Sequence, residues 1–157
     1  MPTITIETFV RAPVRRVFDL HRSIDVHVQS AGTTHEVAVA GKTSGLMELG
    51  ETVTWEATHF GIRQRLTTTI TRFDPPHHFR DSMVRGAFRR FDHDHWFEPH
   101  EGGTQVRDEF DFEAPLGPLG WLAERLVLTR YMQRFLVVRG EAIQKLAEAV
   151  DGPVPQG

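Results

Sequence analysis

His93 and His95 alternate with Phe91 and Phe97, so on a β-strand these four side chains share one face. With a hairpin at Pro99 to Gly103, Phe97 opposes Thr104, His95 opposes Val106, His93 opposes Asp108 and Phe91 opposes Phe110. The register predicts a His93/Asp108 pair, in which the carboxylate fixes the imidazole tautomer and raises its basicity, as general acid–base chemistry requires. The plainer reading makes both histidines wall residues with satisfied hydrogen bonds and no chemistry. Two imidazoles and Asp108 on one face could also hold a metal ion. His-x-His without further ligands is a weak metal signal, however, and the expectation is no metal and no cofactor.

Arg139 is the third chemical candidate. It lies in an apolar helical stripe between Phe135 and Ile143, where a buried charge needs a partner. Asp81, inward if Phe79, Asp81 and Met83 share a strand face, and Asp108 are the expected partners. An unpaired Arg139 would instead receive a carboxylate, enolate or phosphate on an otherwise apolar ligand, or stabilise oxyanion charge. The remaining histidines, His21, His27, His35, His59, His77, His78 and His100, are scattered, and most of them read as surface or loop residues. Gly41-Lys42-Thr43 lacks the preceding glycine and following helix of a phosphate loop. No serine sits in a nucleophile elbow, and cysteine is absent, which removes thiolate nucleophiles, thiolate metal ligands and disulfides.

The elements that must position these groups follow from periodicity. Thr3 to Val10 alternates Ile4, Ile6 and Phe9 with polar residues and reads as a first strand. Pro13 starts a helix carrying Val14, Val17, Phe18 and Leu20, and Ser23 or Asp25 starts a second short helix through Gln29. Six strands follow, at Thr34 to Ala40, Glu51 to His59, Ile62 to Phe73, Phe79 to Val84, Phe88 to Phe97 and Thr104 to Phe112, in an antiparallel meander. Pro115, Gly117 and Pro118 then start a long helix, Pro118 to Val150, with Trp121, Leu128, Met132, Phe135, Ile143, Leu146 and Val150 on one face. The loop Gly41 to Gly50 reads either as an ordinary long hairpin loop or as a connection near a cavity mouth, with Ser44, Gly45, Leu46 and Met47 able to gate it.

The 157 residues suit one domain, 1–150, with 151–157 a frayed tail. Hydrophobic residues make up 39% and charged residues 25%, with eleven Phe, as in a globular protein. A net charge of −3 with dispersed arginines argues against nucleic acid. No run is long enough for a transmembrane segment or a signal core, so a cytoplasmic location is expected; a homodimer is compatible with the sequence.

With this element order, the stretches Leu49 to Trp55, Arg85 to Phe88 with His93 to Phe97, Gly102 to Asp108, and Pro115 to Gly120 carry a family resemblance. Through them the chain resembles the START/birch-pollen-allergen-like superfamily, also called SRPBCC or polyketide cyclase/dehydrase, in its small stand-alone bacterial branch. It implies an α+β helix-grip fold, a curved seven-stranded antiparallel sheet wrapped around the long C-terminal helix. It also implies a deep cavity for a hydrophobic small molecule such as a lipid or polyketide, without fixing one chemistry. Trp55, Leu66, Ile70, Met83, Phe91 and Phe97 from the sheet are the expected wall. Val106, Phe110, Met132 and Phe135 complete it, with Thr68, Asp81 and His95 as polar contacts. The leading expectation is a binding protein whose ligand carries an acidic or carbonyl group. The alternative is a cyclase/dehydratase-type or hydrolytic enzyme, with His93 as acid/base, Asp108 orienting it and Arg139 stabilising charge.

Overall fold

A computed structural model describes residues 3–115, 117–118, 122 and 127–149. Strand β1 (Thr3–Val10) buries Ile4 and Val10, and its inner phase runs through Ile6 and Thr8. Phe9 points outward, because strand alternation leaves only one of Phe9 and Val10 on the core face. Pro13 stands just before helix α1 (Val14–His21), its fixed φ of −61° leading into the first turn. Helix α2 (Ile24–Gln29) begins where the Ser23 hydroxyl accepts from Val26 N–H at 3.3 Å.

A 3₁₀ turn at Gly32–Thr34 delays β2 (Val37–Gly41) relative to the expected start at Thr34. The meander continues through β3 (Thr52–His59), β4 (Ile62–Asp74), β5 (His78–Arg85), β6 (Arg90–His100) and β7 (Gly103–Glu113). The seven-stranded antiparallel sheet has the order β1-β7-β6-β5-β4-β3-β2, so the first strand adds to the last. Register shifts at Ala38/Ala40 in β2, at Ile70/Arg72 in β4 and opposite Thr67/Thr68, where β5 carries the extra residue Val84, supply curvature. Phe60 and Gly61 turn β3 into β4 with positive φ at both residues, +53° and +73°, as a two-residue type I′ turn requires.

The β6–β7 hairpin corrects the expected register. Pairing runs to His100 opposite Gly103, leaving Glu101 and Gly102 as the turn, with Gly102 at φ +83°. Pro99, read as a turn residue, instead pairs with Thr104. Every partner therefore moves by two places: Phe97 opposes Val106, His95 opposes Asp108, His93 opposes Phe110 and Phe91 opposes Phe112. A shift of two preserves the inward face and changes only the pairing.

Helix α3 (Thr129–Glu148) crosses the sheet's concave face and buries Met132, Leu136, Ile143 and Ala147. A π turn at Val127 and Leu128 precedes it, so the described part of the expected Pro118 to Val150 helix is not one unbroken α-helix. Trp121 and Val150, and the 151–157 tail, lie outside the described residues. Among the described residues no helix is long and apolar enough to cross a membrane.

Two apolar clusters hold the layers together. In one, the fully buried Phe18 of α1 meets Phe73, Phe79 and Phe97 with ring centroids 5.4 to 5.7 Å apart. The other gathers Ile4, Phe91, Phe110, Phe112, Met132 and Leu136. The loop after β2 is tied to the α1–α2 junction: Ile24 N–H donates to Gly45 O at 2.9 Å, and Met47 N–H to Arg22 O at 3.0 Å. Phe18→Ala is expected to lower the unfolding free energy by about 3–5 kcal/mol. Leu49→Ala, at an exposed loop position, should change it by less than about 0.5 kcal/mol; urea denaturation reads both.

Candidate functional site

Between sheet and α3 lies a cavity of about 460 Å³. Of the expected wall, Trp55, Leu66, Thr68, Ile70, Asp81, Phe91, His93, His95, Asp108, Phe110, Met132, Phe135 and Arg139 line it. Met83, Phe97 and Val106 do not. The register shift brings Phe97 and Val106 together under Phe18, where both are buried in solid core, while Met83 packs into the second cluster. Of the loop residues expected at the mouth, Met47 alone lines the cavity. The exposed Phe60 and Val127 mark where the cavity meets solvent.

One polar cluster sits on the sheet side. β5, β6 and β7 place Asp81 beside His93 and His95 beside Asp108 as direct register partners. His95 Nδ1–H donates to Asp108 Oδ1 at 2.6 Å, and Nε2–H donates to Asp81 Oδ1 at 3.0 Å. Burial alone would lower the His95 pKa, but these two hydrogen bonds and the paired charges outweigh it and raise it to about 9. Its imidazolium in turn holds both carboxyls below their usual range, against burial.

The expected His93/Asp108 pair is thereby corrected: Asp108 bonds His95. His93 Nδ1 lies 3.9 Å from Asp81 and Nε2 lies 3.7 Å from Asp108, beyond hydrogen-bond reach. Nε2 is buried and has no hydrogen-bond partner among the described residues. Burial, followed by the neighbouring His95 charge, pushes the His93 pKa down to about 4, so the ring is neutral at pH 7. With two carboxylates, one imidazolium and one neutral ring, this cluster carries one net negative charge.

The second cluster lies under α3. Arg139 does not pair with Asp81 or Asp108, as expected, but donates through Nη2 to Glu36 Oε1 at 2.8 Å. The reason is positional: the residues leading into β2 bring Glu36 beneath the helix, whereas Asp81 and Asp108 are engaged by His95. His27 also pairs with Glu36, stacks on Trp55 at 4.0 Å, and has its pKa lowered by burial and then by Arg139. Arg139 lies 4.6 Å over the Phe135 ring, and its Nε has no partner among the described residues. Nearby, Tyr131 hydroxyl and His59 Nδ1 share a 2.6 Å hydrogen bond.

Glu36, His21, His27, His59 and Tyr131 are lining residues that sequence reasoning missed. Helical spacing held the signal for His21, which follows Val14, Val17 and Phe18 on the buried face of α1. It also held one for His27, three residues after the buried Ile24. His78, read as a surface residue, is buried on the outer face, bonded to Asp94 at 2.7 Å and stacked on Trp96.

Burial would raise the Glu36 pKa, but the Arg139 charge and the His27 contact outweigh it and hold it at about 2, against an ordinary 4.5. A depressed carboxyl pKa stabilises the fold fully above the unfolded value, and that stability is lost as pH falls through the folded one. Wild type should therefore lose on the order of 3 kcal/mol through this group between about pH 4.5 and pH 2. Glu36→Gln, which leaves Arg139 buried without its anion, should lower stability by about 3–5 kcal/mol at pH 7. The gap between the two proteins should narrow towards pH 2 in urea titrations at each pH.

No curated protein matches the chain by sequence. Among solved structures, the chain is similar to the Zhui aromatase/cyclase from Streptomyces sp. R1128, with a TM-score of 0.77, 14% identity, and 97% of this chain and 99% of that one covered. It is similar to TTHA0849 from Thermus thermophilus, with a TM-score of 0.75 at 20% identity, covering 92% and 95%. The major latex-like protein 151 of Panax ginseng follows the same fold, with a TM-score of 0.65 at 13% identity, covering 94% and 98%. At these identities the likenesses show the helix-grip fold alone. The family described as "Polyketide cyclase / dehydrase and lipid transport" matches residues 10–136, and the chain belongs to it.

Proposed function

We propose that this protein binds a hydrophobic small molecule, a lipid, polyketide or aromatic compound, in the cavity between sheet and α3. The observation that carries the reading is the cavity itself. Its 460 Å³ falls within the size of small-molecule sites, and its lining is predominantly aromatic and aliphatic. The family and the aromatase/cyclase neighbour support the same ligand class. The charge balance favours a ligand ending in a neutral hydroxyl or carbonyl over one ending in a carboxylate. Arg139 is already neutralised by Glu36, and the sheet-side cluster carries surplus negative charge.

Native mass spectrometry of gently purified protein, then calorimetry with fatty alcohols, their fatty acids, polyketides and aromatic lactones, tests the proposal. Each neutral ligand should bind at least about tenfold more tightly than its carboxylate counterpart, about 1.4 kcal/mol. Gly140 of α3 provides a second test, because it lines the cavity and an added Cβ there meets open space. Gly140→Leu should raise helix stability by about 0.5–1 kcal/mol while reducing ligand affinity tenfold or more. Unchanged affinity in this variant would place the ligand elsewhere.

The second reading is an enzyme of cyclase/dehydratase or hydrolytic type. The observation that favours it is His93, a neutral imidazole whose Nε2 has no hydrogen-bond partner among the described residues, beside a fixed imidazolium. In this reading His93 moves the proton, while Asp108 acts through His95 rather than on His93 directly. With a converted substrate in hand, His93→Gln should lower turnover by about 10²-fold or more; turnover unaffected by that change would refute the assignment.

A further inference from the structure

The geometry points to a binding site for one first-row divalent transition-metal ion on Asp81, His93 and His95, with Asp108 behind them as the carboxylate that orients the imidazoles. It goes beyond the ligand-binding reading and stands independently of it. It departs from the sequence expectation of no metal, and its carboxylate ligand is Asp81 rather than Asp108.

One donor atom from each of the three residues lies within 4.8 Å of the others. Asp81 Oδ1 is 3.0 Å from His95 Nε2 and 3.9 Å from His93 Nδ1. Ligands held at about 2.1 Å from an ion stand roughly 3.0–3.4 Å apart in octahedral or tetrahedral arrangement. The two separations from Asp81 lie close to that range, and the two imidazole nitrogens, within 4.8 Å of each other, draw together on the ion. All three ligands sit on β5 and β6, with Asp81 and His93 as register partners, so the sheet holds them in place.

The outer contacts fit the same assignment. Asp108 Oδ1 faces the far nitrogen of both rings, His95 Nδ1 at 2.6 Å and His93 Nε2 at 3.7 Å. Each ring thus turns one nitrogen to Asp81 and the other to Asp108, the arrangement in which a carboxylate fixes the tautomer of a metal-bound histidine. Independently, His93 Nε2 is buried without a partner among the described residues. An ion on Nδ1 makes Nε2 a fixed donor facing Asp108, which gives that nitrogen its use. Charge agrees as well: the ion displaces the His95 Nε2 proton to solvent, both imidazoles are then neutral, and its two positive charges balance the two carboxylates. Two imidazoles and one carboxylate suit zinc, iron(II), cobalt(II) or nickel(II) rather than calcium or magnesium. Three protein ligands leave further coordination positions open to the cavity that all of them line.

Untagged protein, stripped with a chelator, is titrated with zinc(II) by calorimetry and with cobalt(II) by visible absorption. The expected result is saturable uptake of one equivalent per chain, retained through gel filtration. Asp108→Asn should weaken it by about 10–100-fold, Asp81→Asn by at least as much, and His93→Gln/His95→Gln should abolish it. Circular dichroism checks that each variant is folded. Proton spectra of the cobalt(II)-loaded wild type should show two paramagnetically shifted imidazole N–H signals, a readout that needs no variant. Absence of one-equivalent uptake, uptake unchanged in the double variant, or a cobalt(II) spectrum without imidazole signals overturns the proposal.

Discussion

Three carboxylates, Asp81, Asp108 and Glu36, stand in a wall that is otherwise largely apolar, and balancing them constrains much of the interior. A buried charge without a partner costs several kcal/mol, so each must find a cation or donor within reach. His95 serves two of them and thereby ties β5, β6 and β7 together on their inner face. Arg139 serves the third and, with His27, joins α3 and α2 to the start of β2 across 103 residues of sequence. Apolar packing lays the helix on the sheet, and the Arg139–Glu36 pair, together with Arg16 donating to the carbonyls of Leu146 and Ala147, ties it to the start of β2 and to α1.

The same division explains why a cavity persists instead of closing. Phe18 and its aromatic neighbours fill one end, and the phenylalanines of β6 and β7 fill the other with Met132 and Leu136. The polar groups hold the middle apart, because collapsing apolar side chains onto His93, Asp81 or Glu36 would remove their partners and solvent together. Curvature from the bulges in β2 and β4 gives the sheet enough arc to span the gap. Gly140 thins the helix where it borders the space.

Periodicity made the fold legible. All seven strands, both short helices and the position of α3 follow from alternation, turn residues and apolar spacing, because burial of one face dictates these patterns. The side-chain pairings were less legible. The inward face of β6 was readable from Phe91, His93, His95 and Phe97, but its partner depended on whether Pro99 lay in the turn or the strand, and local sequence does not decide that. Glu36 was hidden for another reason. At the start of β2 the apolar residues Val37 and Val39 point outward while Glu36 and Ala38 point in, so the usual rule for choosing the core face selects the wrong one. His21 and His27 were readable by helical spacing, yet residue type suggested the surface.

The partition of charge also sets what the cavity can accept. Had Arg139 bonded Asp81 or Asp108, the sheet-side cluster would be neutral, and Glu36 would be the unbalanced group under the helix. Instead Glu36 takes up the arginine charge, and the surplus negative charge falls on the sheet face, where His93 Nε2 has no hydrogen-bond partner among the described residues. An anionic ligand entering this space meets repulsion at one end and an occupied guanidinium at the other. A hydrogen-bond donor or a cation meets an unsatisfied imidazole and a carboxylate. The placement of Glu36, a single residue at the entry to an edge strand, therefore decides the polarity of a site built mainly from the opposite side of the sheet.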